Sequence, residues 1–257
     1  SLFVLVGTLI VIVVAARAVL VHGFGYDRMT ALLSATPGHL SFVLSISAEV
    51  AADVRRVALV QSMRVLMLTL LVPVLITVWG VRGTTPITDP ALIAPGALVL
   101  TAGLALGLGL VLKRLRVPAP LLLGAMIVSA IGHGADLTPG AVPSWLQALA
   151  FITMGSLIGT RFGGFDRRAL RAAVGAGVAM TVIACAVAAL GALIAAKLVG
   201  VQPAVLLLAF APGGVEVMAA LAVETGLQPA FVAAHHVVRL LALGVIIPVL
   251  VARNRRD

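Results

Sequence analysis

Long uncharged apolar stretches alternate with short polar connections along this chain. A helix needs about 20 residues to cross the roughly 30 Å hydrocarbon core of a bilayer. Four uncharged stretches are of that order of length, at residues 91–112, 117–135, 137–160 and 172–196. Segments 54–79 and 229–252 are long enough as well, although Arg64 interrupts the first and Arg239 the second. The pattern predicts membrane-spanning helices.

Two further apolar segments carry a break at their centres. The first broken segment, residues 29–50, contains ATPGH at 35–39, and the second broken segment, residues 203–225, contains APGG at 211–214. Proline disfavours helix at the preceding residue, and glycine permits backbone geometry that other residues resist. Each segment is therefore predicted to be a pair of short half-helices with an irregular joint, which survives at membrane depth only inside protein or beside a water-filled cavity.

The chain contains an internal duplication. An offset of 175 aligns residues 25–75 with 200–250 without a gap, and 14 of the 51 positions are identical. Leu and Val matches carry little weight in so apolar a composition. The informative pairs combine residues that are rare or that shape the backbone: Gly25/Gly200, Pro37/Pro212, Gly38/Gly213, Glu49/Glu224, Arg64/Arg239 and Pro73/Pro248. A repeat at a fixed period indicates a duplicated structural unit.

The duplication sets the predicted domain boundaries. Residues 1–80 are interpreted as an incomplete first repeat of one span, the first broken segment and a second span. Residues 81–90 form a linker, and residues 91–253 form a complete second repeat of five spans plus the second broken segment. The apolar run 1–16 lacks the basic start and cleavage site of a signal peptide, so it is read as a span, with about three earlier spans expected before Ser1.

Charge placement indicates the orientation of the repeats, because cytoplasmic loops carry the Lys/Arg excess. In the second repeat the basic connections are 113–116, 161–171 and 253–256, whereas 133–143 and 226–229 have no Lys or Arg. The second broken segment would then enter and leave from the outside. In the first repeat the equivalent connections are basic, at Arg17, Arg28, Arg55 and Arg56, so its hairpin opens inward. This predicts inverted topology. A parallel repeat of six full spans is the alternative, and Lys197 and Arg82 lie on the wrong side for inversion.

Composition agrees with a membrane protein. Of the 257 residues 61% are apolar and 11% charged, with a mean hydropathy of +1.20, against about 45–50% apolar and about 25% charged in soluble domains. The formal net charge of +9 is explained by basic loops rather than by nucleic-acid binding. A single cysteine, Cys185, excludes an internal disulfide and a cysteine metal cluster. The predicted fold class is an all-α integral membrane protein.

Both breaks are candidate substrate sites. Hairpins from opposite faces would bring the first break, at Pro37, Gly38 and His39, to the bilayer midplane. There it would lie close to the second break, at Pro212, Gly213 and Gly214. The N–H groups that start each second half-helix carry partial positive charge and can hold an anion. A simple proline kink, accommodated by adjacent helices, is the structural alternative.

Arg64 and Arg239 lie near the centres of their helices, where an arginine costs about 2.5–3.5 kcal/mol unless it faces a partner or a wet cavity. The pair could clamp a carboxylate, since a guanidinium presents a fork of donors. Alternatively the arginines form structural ties, either to Glu49 and Glu224 as ion pairs or to the carbonyl ends of the half-helices.

Three further side chains are candidates for ion coupling. Glu216 falls in the first turn of a half-helix, where a carboxylate is favoured and could exchange a proton; a simple helix-start charge is the alternative, and its counterpart is Ser41. His235 and His236 neighbour Arg239 on the helix surface. They suit a proton relay or a hydrogen-bonded packing role. The five histidines have no metal-ligand spacing, so no metal and no cofactor is predicted.

The chain resembles the AbrB family of bacterial inner-membrane proteins, built from a duplicated unit. The resemblance rests on RVPAPLLLGAMIVSA (116–130), on TPG followed by DVRRVALVQSMRVL (53–66), and on APGGVEVMA followed by AFVAAHHVVRLL (230–241). Members carry labels that include transporter, "ammonia monooxygenase" and regulator of gene expression. The resemblance thus implies the architecture and a multi-pass inner-membrane location more firmly than an activity. The missing early spans and His39 depart from the pattern.

A secondary transporter for a small anionic or zwitterionic solute accounts for most of these features. A non-transporting sensor or regulator of gene expression is the alternative. A membrane oxidase would need a metal centre that the histidines do not supply, so no enzyme activity is expected. The expected partners are the lipid bilayer, a small solute and, as one oligomeric state, a second copy of the chain, without nucleic acid.

Overall fold

The computed structural model describes residues 1–38, 40–78, 91–115, 117, 120–160 and 167–254. These residues form eleven α-helices, with one isolated bridge between Leu92 and Ala141. In chain order the helices are α1 (Leu2–Phe24), α2 (Arg28–Ala35), α3 (Leu40–Glu49), α4 (Val54–Val78), α5 (Pro95–Arg114), α6 (Pro120–Gly134), α7 (Ser144–Thr160), α8 (Arg167–Val199), α9 (Pro203–Phe210), α10 (Val215–Thr225) and α11 (Pro229–Asn254). The all-α prediction is confirmed for the described residues.

Four of the described helices are long and apolar enough to cross a membrane: α1, α5, the part of α8 from Leu170, and α11. They mark the chain as a membrane protein. The segments predicted over 117–135 and 137–160 form shorter helices. α6 has 15 residues and α7 has 17, and at 1.5 Å per residue a 15-residue helix is about 22 Å long. The predicted linker 81–90 lies outside the described residues.

Both broken segments are interrupted as predicted. In the first, α2 ends at Ala35, and Thr36 is extended (φ −78°, ψ 119°) directly before Pro37. In the second, α9 ends at Phe210, and Ala211 is extended (φ −52°, ψ 132°) before its own proline. The clash between a proline ring and the preceding residue disfavours the helical region at that residue. Local sequence therefore ends both half-helices.

The chain folds into two compact units, and neither has the bounds of a predicted repeat. One contains residues 1–87 and 161–257, and the other contains residues 88–160. In the first unit, α1–α4 share a hydrophobic core with α8–α11. Its fully buried large side chains include Leu5, Leu9, Leu33, Leu206, Phe210 and Met218.

Helices α1 and α8 pack against each other in opposite directions. A Cβ placed on Gly191 of α8 would overlap the Thr8 hydroxyl of α1, and one placed on Gly175 would lie 3.4 Å from the Phe24 ring. The contact position on α8 thus moves back by 16 residues while that on α1 moves forward by 16. The two helices therefore run antiparallel along most of their shared length.

In the unit of residues 88–160, α5 and α6 cross where two glycines meet. A Cβ on Gly124 would lie 2.6 Å from the backbone nitrogen of Gly109, so only glycine allows this close approach. His133 lies at the connection to α7, where its ring nitrogens are 3.0 Å from the Ser129 carbonyl and 3.1 Å from the Gly140 carbonyl.

Candidate functional site

The carbonyl end of α2 is held by two side chains of α4. Gln61 donates from Nε2 to the Thr36 carbonyl at 2.7 Å and to the Leu33 carbonyl at 2.9 Å. Arg64 donates from Nη1 to the same Thr36 carbonyl at 3.4 Å. The last carbonyls of a helix have no partner within the helix. These donors supply partners at the point where the first broken segment is interrupted.

The carbonyl end of α9 is held in the same way by α11. Arg239 donates from Nη1 to the Ala211 carbonyl at 2.6 Å and from Nη2 to the Gly213 carbonyl at 2.7 Å. His236 donates from Nε2 to the Leu208 carbonyl at 3.1 Å. Charge-assisted hydrogen bonds of this length are among the stronger ones in proteins. Arg239 therefore fixes the backbone of the second break directly.

The two sets of hydrogen bonds correspond under the offset of 175. Gln61 and His236 are equivalent by sequence, and their acceptors Leu33 and Leu208 are equivalent as well. The bonds from the arginines to residues 36 and 211 form a second matched pair. Among the predicted roles of the two arginines is a tie to the carbonyl ends of the half-helices. In the structure both arginines form such a tie.

Glu49 and Glu224 occupy different surroundings from the arginines. Both glutamates are exposed near the C-terminal ends of α3 and α10, whereas Arg64 and Arg239 are each only 3% exposed. Among the described residues, Arg64 and Glu224 form no ion pair. Of the two kinds of structural tie predicted for the arginines, the described hydrogen bonds of both guanidinium groups are those to backbone carbonyls.

Arg64 and Arg239 are both buried beside the breaks. Buried charge is costly unless it is paired or hydrogen-bonded. Arg64 makes one long hydrogen bond, and its Nε atom is buried with no hydrogen-bond partner among the described residues. The first break therefore has beside it a buried guanidinium group with a donor that the described residues leave unsatisfied.

The remaining residues of the first break lie against the other half of this unit. Gly38 donates its N–H to the Thr36 carbonyl at 2.8 Å, next to Pro37. A Cβ on Gly38 would lie 3.5 Å from Ile247 of α11. His39 lies outside the described residues. The first break therefore contacts α11, which belongs to the second half of the sequence.

Among the described side chains, none caps the start of α10 at the second break. Gly214 is the N-cap residue, with φ −69° and ψ 141°. The Met218 side chain lies beside Gly213, where a Cβ would be 2.8 Å from its terminal methyl. Glu216 lies in the first turn of α10, as predicted; its side chain is outside the described part of the structure, as is that of Ser41. The first N–H groups of any helix lack partners within that helix.

The two adjacent histidines have separate contacts. His235 donates from Nδ1 to the Phe231 carbonyl at 2.9 Å, and its Nε2 lies 2.9 Å from the Ser1 hydroxyl. Its ring lies 4.2 Å from the Phe231 ring, centroid to centroid. His236 is fully buried against α9. His235 thus joins α11 to the start of α1, while His236 supports the break.

A cavity of about 150 Å³ lies beside the second break. Three residues of α4, three of α8, three of α9 and two of the break line it: Leu68, Val72, Leu75, Cys185, Ala188, Ala189, Ala204, Leu207, Leu208, Ala211 and Pro212. Sequence reasoning missed both this cavity and the role of Gln61. Within the described ranges, no three His, Cys, Asp or Glu side chains converge in a way that could hold a metal ion.

Comparison with known proteins identifies one relative and one family for this chain. No solved structure matches the chain. It is similar to the uncharacterized protein YhjN of Bacillus subtilis (strain 168), with 31% identity over 244 residues, covering 86% of this chain and 62% of that relative. The chain thus spans less than two thirds of that relative's length. A family model described as AbrB, transition state regulatory protein, matches residues 1–254. Both broken segments and both arginines lie within that match, and the chain belongs to the AbrB family.

Proposed function

We propose that this protein is a secondary transporter that moves a small anionic or zwitterionic solute by alternating access. One observation carries the proposal: two interrupted helices, 175 residues apart, are each supported by a buried arginine and a second polar side chain at equivalent positions. Secondary transporters build their solute sites from discontinuous helices at the interface of structural repeats.

Helix boundaries support a structural repeat. Adding 175 to the bounds of α2 gives the bounds of α9. The same shift carries α3 onto α10 and α4 onto α11 to within one residue. A simple proline kink would not require matched lengths on both sides of two separate breaks.

The packing of α1 on α8 supports inverted rather than parallel repeats. These helices are equivalent under the offset, and they run antiparallel. Two equivalent antiparallel elements are related by a two-fold axis perpendicular to their length. If both helices cross the bilayer, that axis lies in the membrane plane, which is the relation between inverted repeats. The broken segments would then be re-entrant hairpins from opposite faces.

The solute site would lie between the breaks. Arg64 supplies donors beyond its bond to Thr36, and the N–H groups at the start of α10 supply more. Both would favour the carboxylate of a solute. Glu216, and through the helix surface His235 and His236, remain our candidates for proton or ion coupling. This role requires no cofactor and no enzyme activity, and we place the protein in the bacterial inner membrane as a multi-pass protein.

The central test is flux through the full-length protein in proteoliposomes. Labelled benzoate, glutamate and leucine serve as an aromatic anion, a polar anion and a zwitterion. We expect saturable uptake of at least one probe, and loss of that uptake in Arg64→Gln. Lack of flux for every probe with wild-type protein under imposed proton and sodium gradients would overturn the proposal and favour the regulator that the family description suggests.

Topology has an independent test. In a Cys185→Ser background, Arg28→Cys and Gln202→Cys mark the two equivalent hairpin starts. An impermeant thiol reagent added to intact cells should label one of the two and not the other. Labelling of both from the same side would contradict inversion while leaving the flux result unaffected.

A further inference from the structure

We propose that the cavity beside the second break is a binding site for a compact apolar group, about the size of a benzene ring, carried by the solute. The inference rests on the proposed function only where it identifies that group as part of a transported solute. The site itself stands on the shape and chemistry of the cavity.

The size of the cavity sets the size of its occupant. Its volume is about 150 Å³, and its lining is of Leu, Val, Ala and Pro side chains with one half-buried thiol, that of Cys185. An apolar lining offers water few polar partners, and a volume of this size accommodates a ring such as benzene. A phenyl ring or a branched alkyl group would fill the cavity, whereas a long acyl chain would extend beyond it.

The cavity exists because small residues occupy four positions of the second half. Cys185, Ala188, Ala189 and Ala204 line it. Under the offset of 175 their equivalents carry larger side chains: Ile10, Val13, Val14 and Met29.

Two of the larger residues of the first half, Val13 and Met29, pack in its core, whereas Ile10 and Val14 are exposed. Val13 is buried in the core cluster with Leu32, Leu243 and Ile247, which are themselves equivalent to cavity-lining residues, and Met29 packs against that cluster. At these two positions the first half is therefore packed, whereas the equivalent positions of the second half border a cavity. Since natural interiors contain few voids larger than a water molecule, a cavity of this size in the second half indicates a use.

The position of the cavity determines what the rest of the ligand must carry. Ala211, part of the cavity wall, accepts a hydrogen bond from Arg239 at its carbonyl. A ligand with its apolar group in the cavity would thus place an attached carboxylate near the break. The chemical class that fits is an aromatic or branched-chain carboxylate.

Cys185 provides the test, because it is the chain's one cysteine and lines the cavity. The protein in lipid nanodiscs is treated with N-ethylmaleimide, and the modification rate of Cys185 is read from the mass of the peptide that contains it. Benzene at about ten times its dissociation constant should slow modification about tenfold by mass action. Linear octane serves as the acyl-chain mimic and should protect little.

Filling variants copy the first half of the chain. Ala188→Val and Ala204→Met, made separately, should abolish the dependence of the labelling rate on benzene. Ala186→Val is the matched control, since residue 186 lies on the exposed face of α8, and it should retain benzene protection. Equal protection by octane would replace the solute group with a lipid chain as the occupant and overturn the proposal.

The labelling and flux results distinguish a failure of this inference from a failure of the transport proposal. If benzene gives no protection in wild-type protein, the cavity is not a binding site, even if leucine or glutamate flux persists. If benzene protects but no probe is transported, the cavity binds an apolar group while the transport proposal fails. Benzoate uptake that falls in Ala188→Val and not in Ala186→Val would support both.

Discussion

In the first broken segment, the carbonyl end of α2 receives three hydrogen bonds from the neutral amide of Gln61 and one long bond from Arg64. In the second, the carbonyl end of α9 and the break receive two short bonds from Arg239 and one from His236. Residues at equivalent positions hold the two breaks. Most of the hydrogen bonds come from a neutral amide in the first half and from a charged guanidinium in the second. For the proposed transport role, we therefore expect Arg64 rather than Arg239 to bind the solute.

Helix starts differ between the halves in a similar way. Asp27 caps α2 by accepting hydrogen bonds from the backbone N–H groups of Met29 and Thr30. At the equivalent start of α9, Gln202 makes no side-chain cap and Pro203 is the first helical residue. An aspartate N-cap satisfies exposed N–H groups, while proline removes one and presets φ. Duplicated sequence thus retains geometry while its local chemistry changes.

The largest expected effect is the loss of Arg239. Arg239→Met removes two charge-assisted bonds worth about 1.5–3 kcal/mol each and leaves two carbonyls exposed to the interior. We expect destabilisation of about 3 kcal/mol or more, measured by SDS-driven unfolding in mixed micelles. Arg64→Met removes one bond at 3.4 Å and should cost about 1 kcal/mol, since hydrogen bonds weaken with length. Equal losses would contradict the unequal division of roles.

The next largest effect concerns the antiparallel contact of α1 and α8. Gly191→Ala would place a methyl group on the Thr8 hydroxyl, and overpacking of this kind costs about 1–3 kcal/mol. Gly7→Ala is the matched control, because a Cβ there meets nothing within 4 Å. Thr8→Ala should restore stability to the Gly191→Ala variant. A Gly191→Ala variant as stable as Gly7→Ala would show that this contact is not close in the membrane.

A smaller effect is expected for the loss of the helix cap. Asp27→Ala should destabilise the protein by about 1 kcal/mol, as measured by the midpoint of thermal unfolding. Gln202→Ala, at the equivalent position, should change the midpoint little because Gln202 makes no cap bond.

The same cap predicts a dependence on pH. Burial alone would raise the pKa of Asp27, but the hydrogen bonds from Thr30 and Met29 outweigh it, so the pKa lies below its ordinary value. A carboxyl whose pKa is lowered on folding stabilises the protein above its unfolded pKa, and this contribution is lost as pH falls through the folded value. Thermal midpoints should therefore fall less between pH 6 and about pH 3 in Asp27→Asn than in wild type.

The smallest effect is expected when a residue of the second half is replaced by its equivalent from the first half. His236→Gln installs the side chain that the first half uses at the equivalent position. An amide can donate to the Leu208 carbonyl as the imidazole does, so we expect a change of less than about 0.5 kcal/mol, below the net contribution of a typical hydrogen bond. His236→Leu should cost more, because it leaves that carbonyl without its donor. Similar losses for the two variants would indicate that the bond to Leu208 contributes little.

The broken segments could be predicted from sequence because their cause is local. A proline acts on the residue directly before it, so Pro37 and Pro212 indicated where α2 and α9 end. The offset of 175 likewise identified Arg64 and Arg239 as a pair. The partners of these arginines could not be predicted, because Glu49 and a half-helix carbonyl are equally plausible acceptors on spacing alone.

The amino-acid sequence by itself determined the apolar helices, the two breaks and the duplication, since hydropathy, proline geometry and self-similarity are properties of neighbouring or aligned residues. Only the tertiary structure decided that α1 and α8 run antiparallel, that Gln61 and His236 hold equivalent carbonyls, and that Ala188 borders a cavity where Val13 fills the core. These features depend on which surfaces meet across long sequence separations, and packing in three dimensions selects among contacts that the order of residues leaves equally available.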